Sequence, residues 1–235
     1  MDTLVGICYT ETSMENLTNK YILGNAFDHF YKIPNKSTDL IFTSIPDFQE
    51  ILEVDKDFTI DRYHNFFKGF IKEFARIIKN SGFIVMSQTD RKTKGCIFPK
   101  HIEICNGFLK EGFKIKDYKI LVKDRIDKIS LFRLNYSHII TFTKEGKVSR
   151  EKRQGNYLRD IWIFKMPKNL NFFPEEFVKL IIDTYSKEND FIFDPFAGRG
   201  TVLKIAKQMN RKYLGYEINK DVFDPDYIQH QQKSF

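Results

Sequence analysis

"FIFDPFAGRGTVLKIAKQMNRKYLGYEIN", residues 191–219, decides the fold. An apolar run of strand length enters a turn with glycines at 198 and 200, "TVLKIAKQM" follows with helical period, and "KYLGYEI" resumes as a strand. That order predicts a βαβ unit. Gly198 and Gly200 let the backbone turn tightly and approach a ligand where a Cβ would intrude. Glu217 lies seventeen positions after Gly200 at the end of the second strand. An acid there is placed to accept hydrogen bonds from both hydroxyls of a ribose. A bare GxG fits a plain turn with a surface glutamate equally well. This loop, however, lacks the third glycine and the lysine of phosphate-binding motifs and begins with Asp194. A carboxylate at a strand end suits a cationic amino acid moiety and repels phosphate.

Outward from this unit the chain alternates in the same way. "YILGNAF" (21–27) and "DLIFTS" (39–44) read as short strands, and residues 61–79 carry Phe66, Phe67, Phe70, Ile71, Phe74, Ile77 and Ile78 at helical spacing. "NSG" (80–82) is expected to stop that helix before a buried strand, "FIVMSQ" (83–88). A helix over 100–110, two antiparallel strands over 114–122 and 137–144, and a basic loop over 144–160 come next. In "FFPEEFVKLIIDTYS" (172–186), Pro174 fits the first helical position, with Glu175 and Glu176 where the helix dipole favours acids. The expected architecture is α/β: a doubly wound, mostly parallel sheet with helices on both faces, whose ligands sit beyond the carboxyl ends of the strands.

The 235 residues suit one domain spanning 1–235 with a full core. Lys and Arg outnumber Asp and Glu by 38 to 31, a net charge of +7 that favours a polyanionic partner. Three scattered cysteines, Cys8, Cys96 and Cys105, make neither a disulfide framework nor a zinc site, so no metal is assigned. No window approaches a membrane span and no leader pattern opens the chain. The expectation is a soluble protein of a reducing compartment, cytoplasmic or at the nucleoid or nucleus. His64 and His101 fall in expected helices and receive no catalytic role.

Two segments together resemble one family. Residues 191–219 resemble the cofactor half of the amino-group (adenine N6 or cytosine N4) DNA methyltransferases, with their DPFxGxGT loop and strand ending in Glu. "NKYILGNAFDHFYKIPNKSTDLIFTSIPDF" (19–48) resembles the catalytic half, usually GDA followed by DLIxTSPPY. "RDIWIF" (159–164) and "FFPEEF" (172–177) resemble two further landmarks, and the catalytic half comes first, as in the circularly permuted β group. The resemblance implies a Rossmann-like domain in permuted order that binds S-adenosyl-L-methionine. It places Asp194, Phe196, Gly198, Gly200 and Thr201 around the methionine part and adenosine, and Glu217 on the ribose. Asn25 falls near the adenine, where the family more often has Asp, and Phe173 and Pro174 open the helix against the cofactor.

The same resemblance makes "TSIPDF" (43–48) the methyl-acceptor lip. An exocyclic amine is a poor nucleophile because its lone pair is delocalised into the base. Accepting both N–H bonds and aligning the nitrogen with the sulfonium methyl helps, alignment alone contributing up to about 7–11 kcal/mol. Ser44 would supply a side-chain oxygen, Ile45 its carbonyl and Pro46 the rigid turn. Asp47 stands where the family has a stacking ring, and stacking is worth about 1–3 kcal/mol per base. Three readings of Asp47 are open: Phe48 serves as the platform, Asp47 accepts from an unusual target, or the original activity is lost.

Lys147, Arg150, Lys152, Arg153, Tyr157 and Arg159 populate the basic loop, a candidate target-recognition insert for phosphates and a stacked base. "DRKTKG" (90–95) is a second basic loop. The insert is short, so short-sequence specificity, help from a second subunit (a homodimer mate or a distinct partner), or a structured RNA target is expected. The expected function is methyl transfer to a DNA amine, adenine N6 ahead of cytosine N4. RNA methylation by the same fold and a catalytically silent nucleic-acid-binding subunit are the alternatives.

Overall fold

The alternation of Leu40, Ile41 and Phe42 sets the two faces of a sheet. The computed structural model describes residues 14–93, 96–124, 134–148, 159–165 and 172–229. All three residues are fully buried in strand β2 (Thr38–Thr43). Ile41 joins a core with Phe70 and Phe74 of α2 (Ile60–Ile77) and Ile104 and Phe108 of α3 (Lys100–Lys110). Leu40 and Phe42 join the opposite core, with Phe177 and Ile181 of α4 (Glu175–Tyr185) and Val202 and Ala206 of α5 (Thr201–Gln208). A strand covered on both faces must be apolar at every position, which is what residues 40–42 provide. Phe74 has no exposure, and truncating such a ring to alanine costs about 3–5 kcal/mol.

The remaining strands of this sheet are β1 (Lys20–Leu23), β3 (Ile78–Gln88), β6 (Lys114–Asp124), β7 (Tyr136–Thr143), β8 (Ile161–Lys165), β9 (Phe191–Asp194) and β10 (Lys212–Glu217). Their order is β1-β10-β9-β2-β3-β7-β6-β8. Every pairing is parallel except those of β7, which runs against both β3 and β6. Strands β9 and β2 lie side by side, with Leu40 opposite Ile192 and Ile41 opposite Phe193. From this pair the chain moves outward in both directions, to β10 on one side and β3 on the other. A crevice therefore opens beyond their carboxyl ends. A hairpin of β4 (Arg91–Thr93) and β5 (Cys96–Phe98) follows the end of β3. Two short helices, α1 (Phe48–Val54) and α6 (Pro225–Gln229), complete the order.

Several boundaries differ from the sequence expectation. The strand expected over 21–27 stops at Leu23, because Gly24 takes φ 158° and the Asn25 side chain captures the Phe27 N–H, starting a 3-10 turn. Helix α2 stops at Ile77, before "NSG", and residues 80–82 lie inside β3 as a register irregularity. Pro174 caps α4 instead of occupying its first turn, a one-residue difference in which Pro174 still lacks an N–H to satisfy. Part of the expected loop "DRKTKG" is strand β4.

Candidate active site

Asp194 ends β9 and Thr43 ends β2, so the two side chains meet across neighbouring parallel strands. The Thr43 hydroxyl donates to Asp194 Oδ1 at 2.6 Å, and the Phe196 N–H donates to the same oxygen at 3.2 Å. Asp194 is almost fully buried. Burial pushes its carboxyl up to about 7; the two hydrogen bonds oppose that rise and the Glu217 charge adds to it. A cation arriving at this oxygen would restore the charged form.

The turn after Asp194 is built by left-handed glycines, Gly198 at φ 53° and Gly200 at φ 92°. Gly200 caps α5, and buried Thr201 is the helix's first residue. Three contacts hold the turn. The Gly198 N–H donates to Glu217 Oε2 at 2.8 Å, the Tyr21 hydroxyl donates to the Gly198 carbonyl, and the Ala197 N–H donates to the Tyr216 carbonyl at 2.8 Å. Glu217 also accepts from the Asn219 N–H at 2.8 Å, and burial raises its carboxyl despite these bonds. A carboxylate has about four lone-pair sites. Two backbone donors therefore leave acceptor capacity for a ribose. Gly24 donates its N–H to the Glu217 carbonyl at 2.7 Å, which brings Asn25 beside the same strand end. Phe196 packs against Phe66 and Phe70, whereas Phe173 stacks on Phe42 at 5.3 Å beside Pro174. Arg199 points back to Asp224, with its guanidinium 4.3 Å from the Tyr227 ring. These residues are thus brought to one strand-end turn, with Phe173 and Pro174 on the α4 side.

The lip is held by residues from distant parts of the chain. Buried Gln88, the last residue of β3, embraces the Ile45 peptide: its Oε1 accepts from the Ile45 N–H at 3.1 Å, and its Nε2 donates to the Ile45 carbonyl at 3.3 Å. The Pro46 carbonyl accepts from the Tyr63 hydroxyl at 2.9 Å. Ser44 is half-buried directly after Thr43. Asp47 caps α1, and its own N–H donates to Glu50 at 2.6 Å. Its carboxylate pairs with Arg91 at 2.7 Å and with the ammonium of Lys100. Lys100 has 1% exposure, so Asp47 is the counter-charge that makes its burial tolerable. The Phe48 ring lies against Phe58 and Tyr63, at 6.0 and 5.6 Å.

Sequence reasoning missed Thr43, Gln88, Lys100, Tyr21 and Tyr63. Two signals were available. Gln88 closes an expected strand, and Asp47 with Glu50 three residues later has capping-box spacing. Lys147 and Arg159 are exposed, while Arg150, Lys152, Arg153 and Tyr157 lie outside the described residues.

Comparison with known proteins agrees with this fold. In fold the chain resembles the PvuII DNA methyltransferase (cytosine-N4-specific), with TM-score 0.76 and 16% identity, covering 92% of this chain and 87% of that one. It also resembles TTHA0409 of Thermus thermophilus complexed with S-adenosyl-L-methionine, with TM-score 0.72, 21% identity and coverage of 92% and 95%. The fold is therefore the Rossmann-like fold of S-adenosylmethionine-dependent DNA methyltransferases. Residues 38–229 match the N6_N4_Mtase model, a DNA methylase family, and the chain belongs to that family. Among sequence relatives, the Type II methyltransferase M2.LlaDCHI of Lactococcus lactis subsp. cremoris is 25% identical over 92% of this chain and 90% of its own length. M2.DpnII of Streptococcus pneumoniae is 24% identical over 86% and 87%. Among the described residues, no helix is long and apolar enough to cross a membrane.

Proposed function

We propose that the protein, as a single domain, transfers a methyl group from S-adenosyl-L-methionine to an exocyclic amino group of a DNA base. The observation that carries this reading is the Thr43 to Asp194 hydrogen bond. It ties the strand that ends in the lip to the strand that ends in the cofactor turn, so both halves face one crevice. S-Adenosylmethionine, when bound, supplies an electrophilic methyl on a sulfonium.

The chain's own residues do the rest. Asp194 takes the cationic amino acid moiety, Glu217 the ribose hydroxyls and Asn25 the adenine edge. Phe196, Gly198, Gly200 and Thr201 shape the turn, with Phe173 and Pro174 flanking it. Ser44 Oγ and the second lone pair of the Ile45 carbonyl accept the two N–H bonds of the target amine, Gln88 fixes that carbonyl, and Pro46 keeps the turn rigid. Held in line with that methyl, the amine nitrogen would be placed to take it, and the proton it then sheds would pass to water. Lys147, Arg150, Lys152, Arg153, Tyr157 and Arg159, in the 144–160 loop, engage the nucleic acid. We read the order of the two halves in the chain as the permuted β arrangement.

Asp47 and Phe48 are best read together. Asp47 answers the buried Lys100 charge and Phe48 packs in an aromatic cluster, so neither is free as a stacking platform in this state. We assign Asp47 to holding the lip. Adenine N6 remains the first target; the likeness in fold to the cytosine-N4-specific PvuII enzyme favours cytosine N4 as the second. Calorimetric titration with S-adenosylmethionine, followed by methyl transfer to duplex DNA, single-stranded DNA and RNA at one fixed salt, tests the proposal. Saturable cofactor binding and transfer to DNA are expected; absence of cofactor binding, or transfer to RNA alone, would sink it.

A further inference from the structure

On the flank of the lip, three side chains that the reaction does not use converge. Asp90 follows the end of β3, His138 lies in β7 opposite Gln88, and His101 is in the first turn of α3. Asp90 and His138 are buried, at 7% and 6% exposure. Asp90 Oδ2 lies 2.6 Å from His101 Nδ1 and 3.4 Å from His138 Nε2, and the ligand-capable atoms of all three residues fall within 4.8 Å of one another. The two imidazoles stack at 3.9 Å.

His138 is the informative member. Its Nδ1 is engaged by the Tyr118 hydroxyl, yet its Nε2 is buried without a hydrogen bond while facing a carboxylate. Buried polar atoms left unpaired are rare and call for an explanation. With the ring proton on Nδ1 and donated to Tyr118, Nε2 turns a lone pair toward the carboxylate, and a cation between the two would relieve that repulsion. A hydrogen bond at the other ring nitrogen is the arrangement that fixes the tautomer and orientation of a metal-binding histidine. Zinc–nitrogen and zinc–oxygen bonds run about 2.0–2.2 Å, which puts ligand atoms roughly 3–3.5 Å apart around the ion. To reach that spacing the 2.6 Å Asp90–His101 contact would open as the ion replaces its proton, and the wider separations, up to 4.8 Å, would close.

We propose that Asp90, His101 and His138 form a three-ligand site for a borderline divalent metal ion of the zinc type, with a fourth position open to water. Two imidazoles and one carboxylate suit zinc, cobalt or nickel and not magnesium or calcium. The ion would join the end of β3, where Gln88 grips Ile45, to the start of α3, where Lys100 grips Asp47. It would lock the lip from outside the crevice.

The test uses tag-free protein stripped with chelator, without cofactor or DNA, so its outcome is independent of the methyl-transfer reading. Titration with cobalt(II) chloride should give a saturable one-to-one visible d–d band that zinc chloride displaces. His138→Ala and Asp90→Asn should abolish it. Tyr118→Phe, at a half-exposed position that leaves all three ligands intact, should weaken binding about 10- to 100-fold, as loss of a supporting hydrogen bond does. Cys105→Ser should leave the band unchanged. Absence of a saturable band, equal binding by Tyr118→Phe and the parent, or a band that depends on Cys105 would each overturn the proposal.

Discussion

The two sides of the crevice are held by different physics. On the cofactor side most parts come from one short stretch: Asp194, the left-handed glycines and Glu217 lie within 24 positions, the Gly198 and Asn219 N–H groups bind Glu217, and the Thr43 and Tyr21 side chains reach in from other strands. On the target side the lip, Ser44 to Phe48, is fixed by side chains from elsewhere, Gln88, Tyr63, Arg91 and Lys100. A turn shaped mostly by its own backbone is nearly self-specifying. A lip held by a buried ion pair and a glutamine depends on tertiary placement.

The comparison breaks most sharply at Asp47. Asp47→Ala removes the carboxylate paired directly with the buried Lys100 ammonium, and should destabilise the protein by about 3 kcal/mol, read by urea unfolding. Lys100→Met in the same background should recover part of that loss, a coupling of about 0.5–3 kcal/mol. Asp47→Tyr, which restores the family's ring, should destabilise similarly for the same reason. If Asp47→Ala leaves stability unchanged, the ionic account of the lip is wrong.

Asp194→Asn probes the cofactor side. Loss of one charge-assisted hydrogen bond, about 1.5–3 kcal/mol, should weaken S-adenosylmethionine binding roughly 10- to 150-fold. The same variant tests the titration. The folded carboxyl, at about 7, lies above its ordinary value of 3.8, so the unfolded chain releases this proton first. The contribution of Asp194 to stability therefore falls as pH rises from about 4 to about 7 and is level above that. Asp194→Asn should remove that slope in the cofactor-free protein, and cofactor affinity of the parent should rise across the same window. A parent and variant with identical stability profiles would contradict the burial argument.

Gln88→Leu should act on turnover more than on cofactor binding. It leaves the Ile45 peptide unpaired in a buried place, at a cost of about 1–3 kcal/mol, and frees the carbonyl that we assign to the amine. A fall in kcat with cofactor affinity preserved is the expected pattern; an unchanged kcat would remove Gln88 from the positioning set. The smallest effect is expected at Arg91→Ala. Its pair with Asp47 is partly exposed, so the cost should stay below about 1 kcal/mol.

The same contrast explains what could be read in the sequence. The sheet and its helices followed from period: β2 and β9 are apolar at consecutive positions because both faces are covered, and α3 runs over the very residues, Lys100–Lys110, that its spacing predicts. The shape of the turn after Asp194 is legible because its glycine positions are set by local backbone geometry. The partners of the lip are not. Nothing local to Lys100 shows that its ammonium is buried, and nothing near Asp47 shows that it faces a cation instead of a base. Boundaries failed where a side chain overrode period, as at Asn25, whose capture of the Phe27 N–H ended β1 early. Asp47 departs from the stacking ring only by family resemblance; its contacts with Lys100 and Arg91 are visible only in the fold.

We propose that both sides of the crevice serve one methyl transfer to a base amine. Mass spectrometry of nucleosides from DNA incubated with the protein and methyl-labelled S-adenosylmethionine tests it most directly. Label is expected on an exocyclic nitrogen, adenine N6 first and cytosine N4 second, with loss of label in Asp194→Asn at cofactor concentrations that saturate the parent. Label on a ring carbon, or no label in DNA from a protein that binds the cofactor, would contradict it.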